Sequence, residues 1–518
     1  VAALTLILVL FAATVLLAPL ADRIGVPYPA VLLIFGMLLA LVPGPPLPAV
    51  NPNLLLPLIL PPLLFAAARR TSWREFLDNR RAIGLLAVAL VGVTAFVVGF
   101  TLQALVPGLP LIAAVAIGAA VAPPDPVAAT AVAQKLHLPR RLRTILEGEG
   151  LSNDATALVL YEVAVAAALT GAFSTKHAGV ALGQAVVLGI LAGLLVTFIA
   201  RWLLNKLPAH PAGSALVLIA PFVAYVAADA IHGSGVLAVV TLALFLSRYS
   251  DAESSQTRLV TSNTWEIVEL LVTGAAFAFV GLELRAIAQD ADGPLGSLIA
   301  QALVVSAVVI VVRFLWIFPV ASIDERLRRR RDDAAEPVGW REMTVSSWAG
   351  MRGVVTLVAA LALPQAFPER PRLIFIAFVV VAVTLLLQGL TLPAVVNALG
   401  VSAGNEHDEM EQDLMRRANE AGLRRLDELR EADEVRADAI DHVQEGAERL
   451  WRALGLSDDG TRTPDYDDAE RARAISEVRE EMLEAAREAV LEARSESGTD
   501  PTVVDAVLRR LDARGTQA

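Results

Sequence analysis

The stretch Val121-Ala-Pro-Pro-Asp-Pro-Val127 lies within an apolar segment, and its reading decides how the whole chain is built. Pro123, Pro124 and Pro126 each remove a backbone donor and clash with a carbonyl one turn back, so a continuous helix through this point is not expected. The residues before it, Leu111 to Ala122, are apolar throughout, as a bilayer span requires. Irregular backbone at membrane depth survives only where protein or a water-filled cavity surrounds it. Freed carbonyls beside the Asp125 carboxylate are oxygen ligands suited to a hard cation. The competing reading is a simple proline kink, with Asp125 exposed at the cytoplasmic end.

Working outward, the same apolar character recurs along most of the 518 residues. The chain is 55% hydrophobic and 19% charged, against about 45–50% and about 25% for soluble domains. Thirteen spans are expected, at about 2–21, 28–43, 53–68, 82–106, 110–134, 147–171, 177–204, 211–230, 234–249, 263–285, 295–320, 343–363 and 372–399. Residues 403–518 contain no such run. This pattern excludes a soluble enzyme and a nucleic-acid binder, and the short alternating strands of an outer-membrane barrel are not seen. The expected fold is an all-α polytopic membrane protein, with a membrane domain over 1–402 and a soluble helical tail over 403–518. The first segment has neither a basic leader nor a clear cleavage site, and is expected to be a retained span. With no cysteine, disulfides, thiolate metal sites and thiol chemistry are excluded together.

The formal charge of −11 averages two unlike regions. The tail carries about −14, which leaves about +3 for the membrane domain. With the N-terminus outside, the inner connectors hold about twenty Lys and Arg and the outer ones about four. The inner set includes Arg69, Arg70, Arg74, Arg80, Arg81, Lys135, Arg140, Arg141, Arg143 and the run Arg328 to Arg331. The tail is therefore expected in the cytoplasm. Within it, Ile475, Val478, Met482, Ala486 and Val490 share one helical face, and Ser457 to Pro464 reads as a linker between two helical parts.

Ionisable residues inside spans carry the functional information, because each costs several kcal/mol unless paired or hydrated. The sixth span opens Glu147-Gly-Glu-Gly-Leu-Ser-Asn-Asp154. On a helix Glu149 and Asn153 share a face, and Gly150 and Asp154 share the next. Glu147 reads as an interfacial residue near the basic loop, whereas Asp154 is deeper. A carboxyl there can carry a proton or a cation, but not both at once, which is the elementary requirement for exchange. The bland alternative makes Asn153 or Asp154 a helix cap. The twelfth span contains Gly350-Met-Arg352-Gly353. An arginine among apolar residues needs a facing carboxylate, and Glu149 is the expected partner. A turn at Asp229-Ala-Ile-His232-Gly-Ser-Gly235 reads as an outer loop.

These motifs, in this order, resemble the sodium/proton exchanger family, in its Asn-Asp branch of cation:proton antiporters. Over residues 1–400 the resemblance rests on Leu60-Pro-Pro-Leu-Leu-Phe65, Pro124-Asp-Pro126, Leu146-Glu-Gly-Glu149, Asn153-Asp154, Phe279-Val-Gly-Leu-Glu283 and Gly350-Met-Arg-Gly353. It implies two inverted six-helix repeats, with the fifth and twelfth spans unwound and crossing at mid-membrane around Pro123, Pro124, Pro126, Gly350 and Gly353. It also implies that Asp154 binds the transported monovalent cation or the proton, with Asp125 and Asn153 supporting it and Glu149 paired with Arg352. Asn153, in place of a second aspartate, implies one cation for one proton. The resemblance further implies Na⁺ as substrate with Li⁺ and K⁺ as candidates, a homodimer in the plasma membrane, and no cofactor. Many relatives have Ser where this chain has Gly150 and Thr where it has Pro124, so two hydroxyls are missing from the ion shell.

Other function classes are weaker. A passive cation channel or uniporter, with the tail as sensor, would use the same oxygens as a filter, yet no repeated filter loop is present. An intramembrane enzyme is disfavoured by the lack of a His-Glu-x-x-His motif and by the spacing around Ser234, which is not that of a nucleophile elbow.

Overall fold

The computed structural model describes residues 2–42, 52–70, 80–125, 138–170, 175–206, 211–248, 255–291, 293–329, 339–401, 406–432, 443, 469–494, 499 and 501–515. Pro126, Arg74, Lys135, Arg330, Arg331 and the 457–464 linker lie outside them. The chain divides into two units, Val1–Ser402 and Ala403–Ala518.

The described residues of the first unit form helices and connecting turns, as backbone polar groups in hydrocarbon demand. The first half comprises α1 (Ala2–Arg23), α2 (Tyr28–Leu41), α3 (Pro52–Arg70), α4, α5 (Leu111–Val121) and α6 (Arg140–Thr170). In α4, Arg80–Gly84 runs through a π-helical stretch, Leu85–Leu90, into Val91–Leu105. Then come α7 (Thr175–Leu204), α8 (Pro211–Asp229), α9 (Gly235–Arg248), α10 (Ser255–Leu282) and α11 (Leu295–Arg329). The twelfth span is two pieces, α12 (Trp340–Trp348) and α13 (Val354–Leu361). The last, α14, is Arg370–Val383, continuing through a second π-helical stretch, Thr384–Gln388, into Gly389–Leu399. Eight of these helices are long and apolar enough to cross a bilayer, four more are shorter and apolar, and the α12–α13 pair fills the remaining expected span.

The apolar residues pack into two main groups. One surrounds α5, α13 and α14 and includes Val115, Ile117, Leu357, Phe375 and Phe378. The other joins α3, α8 and α9 through Leu64, Phe65, Val217, Val239 and Leu242. Helix α6 belongs to both, giving Leu146 and Tyr161 to the first and Leu151 and Ala155 to the second. Asp154 therefore lies on the helix at the seam. Small residues bring α5 against α4, where a Cβ on Gly118 would meet the Ala95 carbonyl oxygen at 2.2 Å. Large apolar side chains such as Leu16, Phe198 and Leu315 stay exposed, as a hydrocarbon-facing surface allows.

In the second unit, α15 (Glu406–Ala432), α16 (Ala469–Arg494) and α17 (Pro501–Gly515) share a core. Val478, Met482, Ala486 and Val490 are buried there with Leu414, Ala418, Val503 and Val507, so the expected apolar face of α16 is used; the side chain of Ile475 lies outside the described residues. Arg425 joins α15 to α16 by a 2.7 Å contact with Glu481, and Arg510 joins α17 to α15 through Glu411.

Candidate functional site

Helix α5 stops at Val121, and the backbone from Ala122 to Asp125 is non-helical, as its prolines require. The twelfth span breaks across Ala349–Gly353. The two breaks meet directly, the Asp125 N–H donating to the Met351 carbonyl at 2.6 Å. The Asp125 carboxylate lies against Gly353, where an added Cβ would fall 1.6 Å from Oδ2. Only a glycine permits that approach.

Asn153 and Asp154 lie well inside α6, so neither caps it. Asn153 is fully buried and donates Nδ2 to the Pro124 carbonyl at 3.3 Å, tying α6 to the broken end of α5. Its Oδ1 is buried and, among the described residues, without a hydrogen-bond partner. Asp154 is 3% exposed, lies close enough to Asp125 for their charges to interact, and has no ion pair or hydrogen bond through its carboxylate among the described residues. Asn153 and Asp154 thus present oxygen without a hydrogen-bond partner among the described residues, the donor chemistry a small hard cation takes. Glu147 pairs with Arg143 at 3.5 Å near the start of α6.

The expected ion pair of Glu149 with Arg352 is corrected by the geometry. Glu149 is held by Arg313 of α11, whose Nη2 donates to Oε2 at 2.8 Å while Nη1 donates to Oε1. Arg313 also donates Nε to the Ser346 carbonyl at 3.1 Å, and both charged side chains are about fully buried. Gly350 makes room, since a Cβ there would meet Arg313 Cδ at 2.4 Å. Arg352 instead takes backbone carbonyls. Its Nε donates to Val121 at 2.8 Å, its Nη2 to Ala122 at 3.1 Å and its Nη1 to Gly350. The physical reason is the break itself: helix α5 ends with carbonyls that have no intrahelical donor, and that end carries partial negative charge. A guanidinium with five donors satisfies it. Arg313 was missed although its signal was the same as that of Arg352, a lone charge in an apolar run between Ala302 and Ala321.

The remaining expected positions fall where the sequence put them. Pro123 and Pro124 lie in the break of α5, and Gly350 and Gly353 in that of the twelfth span. Asp229 ends α8, and His232, at φ 58°, turns the chain into α9.

Comparison with known proteins decides the family. A family model described as sodium/hydrogen exchanger, transmembrane, matches residues 9–398. The chain belongs to the sodium/hydrogen exchanger family. It is 34% identical to an uncharacterized Na(+)/H(+) exchanger of Mycobacterium tuberculosis (strain ATCC 25618 / H37Rv), over 98% of this chain and 94% of that protein. It is 32% identical to the sodium, potassium, lithium and rubidium/H(+) antiporter of Bacillus subtilis (strain 168), over 71% of this chain and 57% of that one. Its fold is similar to that of the sodium proton antiporter MjNhaP1 from Methanocaldococcus jannaschii, with a TM-score of 0.59 at 18% identity, covering 75% of this chain and 98% of the other. The exchanger is thus a multi-pass membrane transporter of cations against protons, and the channel reading falls.

The crossing of this exchanger makes a direct prediction. Gly353→Ala should stop exchange, because the new methyl must displace the Asp125 carboxylate or the broken backbone. The overpacking should also cost about 1–3 kcal/mol. Gly296→Ala, where a Cβ meets nothing within 4 Å, is the control. Exchange in vesicles and melting in detergent check both; wild-type exchange by the Gly353→Ala protein would show that the contact does not matter.

Proposed function

We propose that the exchanger moves one monovalent cation against one proton by alternating access, with Asp154 as the carrier of both. The observation that carries this is a buried carboxylate beside two broken helices, without an ion pair among the described residues. A bare charge held there costs several kcal/mol, so the site should change sides only when Asp154 holds a proton or a cation. Neither load can be present with the other, which couples the two fluxes.

Charge at the crossing supports a one-for-one exchange. Arg313 pairs with Glu149, and the formal charges then left at the crossing, one positive on Arg352 and two negative on Asp125 and Asp154, sum to a single negative charge. One proton or one monovalent cation neutralises it. Asp125 and Asn153 complete the shell. Na⁺ is the first candidate and Li⁺ and K⁺ are the others, since Gly150 and Pro124 supply no hydroxyl to narrow the choice. The seam position of α6 suits a movement in which the α5–α13–α14 group shifts against the α3–α8–α9 group. We place the exchanger in the plasma membrane as a homodimer, with its N-terminus outside and the acidic tail cytoplasmic and regulatory.

The test uses inverted vesicles with an imposed proton gradient. Na⁺ or Li⁺ should dissipate the gradient and choline should not, and the rate should be unchanged when a membrane potential is clamped at different values. A rate that follows the potential would overturn the one-for-one stoichiometry. No response to any alkali cation in inserted protein would overturn the reading itself.

A further inference from the structure

Of the buried polar side chains that the mechanism above does not use, Gln388 has neither amide atom hydrogen-bonded among the described residues. It ends the π-helical stretch of α14 and is fully buried. Such an unmade group is costly in a packed interior. The stretch is also unusual in itself, because π-helical turns inside helices are rare and often stand at functional sites.

The surroundings indicate what the amide would reach. Thr384, one turn before Gln388, accepts the Arg352 N–H at 3.1 Å. Thr391, three residues after it, accepts the Trp348 Nε1 proton at 2.9 Å. Gly389 lies against Met351, whose Sδ is 3.2 Å from where its Cβ would be. Residues 384, 388 and 391 share one helical face. Gln388 is therefore level with Ala349–Met351, bracketed by contacts to residues on both sides of that break.

The break has matching needs. Among the described residues, the peptide N–H groups of Gly350 and Met351 have no hydrogen-bond acceptor, although both residues are buried. Gln388 Oε1 is an acceptor without a donor, and these are donors without an acceptor. A set that is complementary yet unmade fits an element with a second arrangement in which the bonds form.

We propose that Gln388 is a positioning residue for exchange, whose amide takes hold of the Gly350–Met351 peptide groups as the crossing shifts between access states. This rests on the alternating-access reading given above. Gln388→Met keeps the length and removes the hydrogen bonding. It should melt in detergent at or above the wild-type temperature, because no bond is lost in the arrangement seen here. Its maximal Na⁺-driven exchange should fall by about tenfold or more. Gln388→Glu, which keeps an acceptor oxygen, should retain more exchange than Gln388→Met.

Hydrogen–deuterium exchange over residues 345–355 gives a readout independent of transport. In wild type, protection of this segment should differ between Na⁺ at alkaline pH and Na⁺-free acid conditions, and the difference should vanish in Gln388→Met. Wild-type exchange rates in Gln388→Met would overturn the proposal, as would a large drop in its melting temperature or protection in wild type that ignores Na⁺ and pH. Failure of wild type to exchange any cation would instead overturn the proposed function, whereas exchange present in wild type and undiminished in Gln388→Met overturns the role of Gln388 alone.

Discussion

Asp154→Asn is expected to abolish cation-driven proton movement while the protein remains folded and inserted. The amide has the size and shape of the carboxyl but takes up no proton and offers no charge to a cation. Asp154 has no ion pair among the described residues, so the substitution removes a buried carboxyl without breaking such a pair, and the melting temperature should hold or rise. A ligand that binds the folded state alone raises stability by mass action. Na⁺ should therefore raise the melting temperature of wild type and leave that of Asp154→Asn unchanged. Exchange at the wild-type rate in the variant would move the carrier elsewhere, with Asp125 the next residue to test.

The largest stability effect should come from Arg313. Arg313→Met strands Glu149, a nearly inaccessible carboxylate whose two oxygens are both held by that guanidinium. Removing one partner of such a pair costs about 3–5 kcal/mol, whereas replacing both by apolar side chains is often close to neutral. The double variant Arg313→Met with Glu149→Leu should thus recover most of the melting temperature lost by the single one. Arg352→Met should couple more weakly to Glu149→Leu, because Arg352 bonds the Val121, Ala122 and Gly350 carbonyls and feels Glu149 only through its charge. A thermal double-mutant cycle in detergent compares the two arginines directly. Coupling of Glu149 to Arg352 and not to Arg313 would reverse the assignment.

Most of the membrane unit is legible in the sequence. Apolar length marked the spans, and the prolines around Asp125 marked the break of the fifth, because those two signals come from local chemistry: hydrocarbon thickness in one case and a missing backbone donor in the other. Asp154 and Asn153 stood out for a similar reason, since any polar side chain deep in a span must be accounted for. Arg313 obeys the same rule but has no glycine or proline beside it to mark a break. Gln388 was harder to find. A single amide among leucines carries little signal, and its interest comes from the π-helical turn and from peptide groups about forty residues away in the chain.

A polytopic helical exchanger with a broken fifth span, a twelfth span marked by Gly350 and Gly353, and a carboxylate deep in the sixth follows from local chemistry and motif order. Which charge meets which is set by packing between helices. Glu149 could face either buried arginine as far as composition and spacing are concerned. Placement of α11 beside α6 gives it Arg313, and the open carbonyl end of α5 takes Arg352. Pairing of buried ions depends on distances of a few ångströms between helices far apart in the chain, and on backbone groups that become acceptors only once a helix has broken. Both arise from packing, which hydrophobic periodicity does not encode.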